Sequence, residues 1–183
     1  MDNVLTTERL TLRPVTAADQ DRLLAHWTQP DVRRFLFDGA VLSPAQVAGE
    51  IDVSIRSFAE SGYGLWIISI TEGADLIGTA GLRQLEEPQG SAAWQPTAGR
   101  PAAAEHPEVV YSLAPGAWGN GYATEAARAV VEYALGPLGL PAVLAEIDEG
   151  NTASIAIIER LGMTRYTVVP GVLGPMIRYR STR

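Results

Sequence analysis

The sequence predicts one α/β domain built on a mixed sheet. Strand-like segments stand before and after interleaved amphipathic helices, and no linker divides the 183 residues into two cores. Composition agrees, since 46% hydrophobic and 19% charged residues supply one sizeable core and exclude a disordered chain.

The elements follow in order. Glu8 to Val15 alternates Leu10 and Leu12 with Thr11 and Arg13 until Pro14, the period of a half-buried strand. Thr16 is an N-cap with Asp19 three residues on, and Leu23, Leu24 and Trp27 recur at helical spacing before Pro30; Asp31 to Phe37 is a turn. Ser43-Pro44 opens a second helix, with Val47, Ile51, Ile55 and Phe58 on one face and a stop near Gly62 and Gly64. Leu65 to Thr71 and Leu76 to Leu85 flank the turn chemistry of Glu72-Gly73-Ala74-Asp75, which makes them adjacent antiparallel strands.

Glu86 to Pro107 then loses all periodicity and carries prolines at 88, 96 and 101, so it reads as an irregular insertion within a domain spanning about residues 6 to 180. Trp94 and His106 lie in it, His106 as a solvated side chain. Beyond it come a strand at Glu108 to Leu113, a helix at Gly121 to Leu135, a strand at Val143 to Asp148, a helix at Thr152 to Leu161, and strands at Tyr166 to Val169 and Met176 to Arg180. Gly136-Pro137 and Gly162 stop the two helices, and Trp27 and Trp66 fall on apolar faces as core residues.

Several function classes drop out on counts. The net charge is −7 and all 14 basic residues are arginine, which argues against nucleic-acid binding and, with no lysine, excludes a P-loop. An acidic field favours a cationic partner such as an amine, or serves solubility alone. With no cysteine there is no disulfide, thiolate nucleophile or Cys-ligated metal. No apolar run approaches the ~20 residues of a membrane span and Met1 to Leu10 is no signal peptide, so a cytoplasmic location is expected.

The chemistry concentrates in Pro115-Gly-Ala-Trp-Gly-Asn-Gly-Tyr-Ala-Thr-Glu-Ala126, between a strand and a helix. Gly119 and Gly121 let backbone approach a ligand, and the N–H groups of Asn120 to Thr124 lie at the positive end of the helix dipole. Such a loop is an anion cradle or an ordinary tight turn. A dinucleotide fold is disfavoured, because Thr124 stands where the third glycine belongs.

Trp118-Gly-Asn-Gly-Tyr-Ala123 resembles the pyrophosphate-binding motif of the GCN5-related N-acetyltransferases, with Trp118 in place of the usual Gln or Arg. Thr7-Glu-Arg-Leu-Thr-Leu-Arg-Pro14 and the run G-x-G-Y-A-T-E-A resemble the branch of ribosomal-protein N-terminal acetyltransferases. Ile77-Gly-Thr-Ala-Gly-Leu82 and Asn151-Thr-Ala-Ser-Ile-Ala-Ile-Ile-Glu-Arg-Leu-Gly-Met163 are similar to two further family segments, so the resemblance runs over most of the chain.

That resemblance implies a mostly antiparallel central sheet of about six or seven strands, flanked by about four helices. The strands at Glu108 to Leu113 and Val143 to Asp148 splay apart and acetyl-CoA lies between them. The pantetheine amides pair near Ser112 and Leu113 and with Asn151, and the pyrophosphate sits on Trp118, Gly119, Asn120, Gly121, Tyr122, Ala123 and Thr124. No metal is implied, and homodimers are common in the family.

Direct acetyl transfer needs a deprotonated amine, a polarised thioester carbonyl and a proton for the thiolate. A backbone N–H near Val110 to Ser112, left unpaired where the strands splay, polarises the carbonyl, or else makes an ordinary ladder bond. The resemblance puts Ser154 beside the sulfur, while the family's usual tyrosine is replaced by Ile158, so the proton comes from Ser154 or water; alternatively Ser154 is only a first-turn residue. For the amine's proton the candidates are Glu108, Glu146, or water. The acceptor is a protein N-terminus or a small amine. A different acyl group, or a non-catalytic acetyl-CoA sensor, remains the alternative.

Overall fold

The computed structural model describes residues 3–71, 73, 75–84 and 106–182. Among these residues eight strands form one sheet, β1 (Leu5–Thr6), β2 (Leu10–Pro14), β3 (Leu65–Ile70), β4 (Gly78–Gln84), β5 (Pro107–Leu113), β6 (Ala142–Asp148), β7 (Thr164–Pro170) and β8 (Pro175–Thr182). Their spatial order is β1-β2-β3-β4-β5-β6-β8-β7. Every pair is antiparallel except β5 with β6.

The helices are α1 (Gln20–Trp27), α2 (Pro30–Arg33), α3 (Pro44–Ser61), α4 (Tyr122–Leu135) and α5 (Thr152–Arg160). Local chemistry sets their ends. Thr16 and Asp19 form a reciprocal capping box ahead of α1. Ser43 caps α3, Pro44 takes its first position, and Gly62 closes it in the left-handed region at φ 76°.

The sheet is covered on both faces. On one, Trp66 and Ile68 of β3 pack with Val130 and Val131 of α4 and Ile158 of α5. On the other, Ile67 packs with Leu23 and Trp27 of α1 and Val47 and Ile51 of α3. The period-two alternation along β3 thus feeds two cores.

Four expectations are corrected. β1 adds a strand, giving eight, because a two-residue segment is too short to show alternation. Pro30 opens α2 inside the expected turn, since a proline tolerated at a helix's first position ends one pattern while starting another. Ile55 is exposed; on α3 the buried neighbour is Ser54, whose hydroxyl accepts the Leu65 N–H at 2.7 Å. Pro107 belongs to β5, while Trp94 and most of the expected insertion lie outside the described residues.

Candidate active site

The opening in the sheet follows from register. β5 pairs with β4 along its whole length, Pro107 to Leu113. With β6 it shares one parallel pair, Glu108 opposite Leu144, so from Val109 onward no strand among the described residues pairs with its second edge. The two parallel strands diverge toward their C-terminal ends, where α4 follows β5 and α5 follows β6. Two helix N-termini and an unpaired strand edge therefore meet at one slot.

The glycine loop stands at the first of those termini. Gly119 and Gly121 sit at φ 77° and 79°, a region costly for residues with a Cβ, and nothing lies within 4 Å of a Cβ built at Gly119. The Asn120 side-chain amide donates to the Ala117 and Trp118 carbonyls at 3.3 and 3.0 Å, which ties the turn to itself. Gly119, Asn120 and Gly121 are exposed, and Tyr122, Ala123 and Thr124 supply first-turn N–H groups with no intrahelical acceptor. These residues suit a phosphate anion in shape and in donors. Trp118 is half exposed and donates its indole N–H to the Leu113 carbonyl at 2.8 Å, which anchors the loop to the end of β5.

At the second terminus Asn151 is the N-cap of α5, its Oδ1 accepting the Ser154 N–H at 3.2 Å. The Ser154 carbonyl accepts the Tyr111 hydroxyl at 3.3 Å, so a phenol from β5 reaches across to α5. Burial pushes the Tyr111 hydroxyl up to about 12, which keeps it a neutral donor. Ile158, at the position of the family's usual tyrosine, is fully buried in the core.

The face of the sheet toward α1 carries the charges. Thr79 and Arg83 of β4 stand opposite Ser112 and Glu108 of β5, and Glu146 of β6 stands opposite Arg178 of β8. Glu108 is buried and bonds the Arg83 Nε at 2.5 Å, at the closed end of the slot; Glu146 bonds the Arg178 Nε at 2.5 Å. Burial pushes the Glu108 carboxyl above its ordinary value; Arg83 opposes that rise and the Glu146 charge adds to it. Both candidate glutamates thus face the slot from neighbouring strands, each with an arginine.

Two residues that sequence reasoning passed over share this face. Asp148, next but one after Glu146, is buried with an Oδ1 that has no hydrogen-bond partner among the described residues, and burial, Asp38 and Glu146 all raise its carboxyl above the ordinary value. Asp38 lies in a run of three left-handed residues, Phe37, Asp38 and Gly39. His26 of α1 is buried, its Nε2 2.9 Å from the Ser112 hydroxyl, which is itself 3.0 Å from Thr79. Burial lowers His26 to about 4, so it is neutral at pH 7. The alternation of Glu146 and Asp148 with Ala145 and Ile147 carries a signal for Asp148; nothing near His26 in sequence marks it.

A family model for the GNAT acetyltransferase domain matches residues 9–164. An uncharacterised N-acetyltransferase p20 of Bacillus licheniformis is 27% identical over 161 residues, covering 88% of this chain and 82% of that one. The crystal structure of an acetyltransferase from Agrobacterium tumefaciens superposes with a TM-score of 0.77 at 26% identity, covering 98% of this chain and 94% of that one. RimL, a ribosomal L7/L12 α-N-protein acetyltransferase solved in complex with coenzyme A, has the same fold, with a TM-score of 0.77 at 13% identity over 98% of this chain and 97% of its own. With the matched stretch reaching from Arg9 through the glycine loop to the end of α5, the chain belongs to the GNAT acetyltransferase family and is an acyltransferase.

Proposed function

We propose that the protein transfers an acetyl group from acetyl-CoA directly to a primary amine within a ternary complex. The observation that carries this reading is the single β5–β6 pair, Glu108 with Leu144, which leaves a slot flanked by the α4 and α5 N-termini. In this reading the N–H groups of Gly119 to Thr124 hold the pyrophosphate. The free edge of β5 near Ser112 and Leu113, with the Asn151 amide, aligns the pantetheine arm. Acetyl-CoA supplies a thioester as the acyl electrophile.

The remaining steps belong to the chain's own groups. An N–H of β5 near Val110 to Ser112 donates to the thioester oxygen and stabilises the charge that develops there. The acceptor ammonium enters over the carboxylates of β5 and β6, where Arg83 and Arg178 offset Glu108 and Glu146 and Asp148 adds one further acidic group to draw a cation. It gives a proton to Glu108, Glu146 or water, and the nitrogen lone pair attacks the carbonyl carbon. The C–N bond forms and the C–S bond breaks; the nitrogen loses its second proton to water, the thiolate takes a proton from Ser154 or water, and Ser154 is reprotonated from water. One proton is released to solvent overall.

A protein N-terminal amine is the favoured acceptor. It is supported by the resemblance of Thr7 to Pro14 and of the glycine loop to the ribosomal-protein branch, and by the fold shared with RimL. The burial of Ile158 at the usual tyrosine position favours a second reading, a protein that binds acetyl-CoA without turnover. Calorimetric titration with acetyl-CoA and CoA, followed by thiol release against peptides and small amines, decides between them. Micromolar binding with thiol release supports the enzyme, and binding without release across the panel supports the sensor. No binding at millimolar ligand removes both, and Gly121→Glu, which puts a carboxylate into the cradle, is expected to abolish binding.

A further inference from the structure

Glu125 poses an electrostatic problem for the cradle. It lies in the first turn of α4, four residues after Gly121, where its N–H bonds the Gly121 carbonyl at 3.1 Å. A carboxylate there suits the helix dipole, but it competes with any anion bound to the same helix end.

The turn joining β1 to β2 answers it. The Thr7 hydroxyl donates to Glu125 Oε1 at 2.6 Å and the Arg9 N–H to the same oxygen at 3.0 Å, while the Arg9 guanidinium meets Oε2 through Nε at 2.7 Å and Nη2 at 2.6 Å. Burial pushes the Glu125 carboxyl up, but these donors outweigh it and hold the group below its ordinary value, ionised. The remaining guanidinium nitrogen, Nη1, donates to the Asn120 carbonyl at 2.9 Å, in the middle of the glycine loop. The same guanidinium lies over the Tyr122 ring at 4.7 Å, and a Cβ added to Gly121 would stand 3.5 Å from Nη2. The Arg9 side chain is 44% exposed and that of Glu125 only 17%, so at the loop surface the cation is outward and the carboxylate recessed.

We propose that Arg9 is a positioning residue for the phosphate end of the cosubstrate, which neutralises Glu125 and holds the Asn120 carbonyl so that the α4 terminus presents only N–H groups and a guanidinium to the anion. This rests on the assignment of the glycine loop to the pyrophosphate. The geometry asks for arginine, because a lysine ammonium is a single point charge without the planar fork that serves Glu125 and Asn120 together.

The test is titration of CoA, dephospho-CoA and pantetheine into the wild type, Arg9→Gln, Glu125→Gln and the double variant. Arg9→Gln is expected to weaken CoA and dephospho-CoA alike, by about tenfold, the scale of one exposed charge at a helix end. Pantetheine, which lacks the pyrophosphate, keeps its affinity. Glu125→Gln binds CoA at least as well as the wild type, and the double variant recovers part of the affinity lost in Arg9→Gln, because no uncompensated carboxylate remains while the hold on the Asn120 carbonyl and the guanidinium are still missing. An Arg9→Gln protein that binds CoA like the wild type overturns the proposal. So does a double variant as weak as Arg9→Gln, or an equal loss with pantetheine, which marks general damage to the fold. A wild type that binds no CoA overturns the cradle assignment itself, and this proposal with it.

Discussion

Glu108 stands opposite Leu144 in the one parallel pair that joins β5 to β6, and its buried carboxylate holds the Arg83 guanidinium at that closed end. A charge at the hinge of the slot has a thermodynamic signature. Burial raises the Glu108 carboxyl, so its proton is held more tightly in the folded state than in the unfolded one. Stability from this group is fully present below the ordinary value of 4.5 and is lost as pH rises through the raised value. Glu108→Gln does not titrate. Urea unfolding from pH 4 to 8 is therefore expected to show the variant gaining on the wild type as pH rises, and a gap that stays constant would contradict the assignment.

Asp19 behaves in the opposite sense. Arg13 binds both of its oxygens, at 2.8 and 2.5 Å, and the Thr16 N–H and hydroxyl each donate to Oδ2 at 2.9 Å. Arg13 first, aided by Thr16 and opposed by burial, lowers the carboxyl from 3.8 to about 2. Its contribution is present above pH 4 and lost as pH falls toward 2. Asp19→Asn is expected to cost about 2 kcal/mol at pH 7, the free energy of that shift. The cost shrinks through the acid range, and chemical denaturation at pH 7 and pH 2.5 measures both ends.

The helix N-caps and helix stops were legible in the sequence because they are local. Thr16 with Asp19, Ser43 with Pro44, and Gly62 each act within one turn of chain. Gly119 and Gly121 were legible for the same reason, since tolerance of a positive φ is a property of glycine itself. The charge array was not. The pairing of Arg83 with Glu108 spans 25 residues and that of Glu146 with Arg178 spans 32, and each exists only because strand register puts the two opposite one another. Arg9 shows the same division. Its motif was visible, but its contact with Glu125 crosses 116 residues and needs β2 to lie beside the start of α4. Ile55 failed because a helix face wider than its contact leaves one edge in water.

His26 supplies a second acid-sensitive point, at the slot. Burial lowers its imidazole from 6.5 to about 4, so between those values the unfolded chain takes up a proton that the folded chain refuses. Stability from the neutral ring falls as pH drops from 7 to 4, by about 3 kcal/mol. His26→Gln lacks that dependence, and its stability relative to the wild type is expected to improve by this amount over the same range. Parallel urea curves for the two proteins at every pH would show that the ring is not held neutral.

Ser154 is tied down through its main chain, by Asn151 at its N–H and by Tyr111 at its carbonyl. Removing the hydroxyl therefore leaves both bonds in place. If the hydroxyl serves the leaving thiolate, Ser154→Ala lowers kcat by about a hundredfold, the lower end of general acid catalysis. The affinity for acetyl-CoA is unchanged, and equal kcat returns Ser154 to a first-turn residue.

Asn151 has two roles that one pair of variants separates. Its Oδ1 caps α5 by accepting the Ser154 N–H at 3.2 Å, and its amide N–H is the group assigned to the pantetheine arm. Asn151→Ala removes both and is expected to cost about 1 kcal/mol in stability as well as acetyl-CoA affinity. Asn151→Asp keeps a capping oxygen of equal quality, and its charge suits the helix N-terminus, so stability holds. It lacks the amide donor and places a carboxylate in the slot, so acetyl-CoA affinity falls as far as in the alanine variant or further. Thermal unfolding and calorimetry on the same samples read the two effects apart. An Asn151→Asp protein that binds acetyl-CoA like the wild type would confine this residue to the cap and leave the unpaired edge of β5 alone to align the cosubstrate.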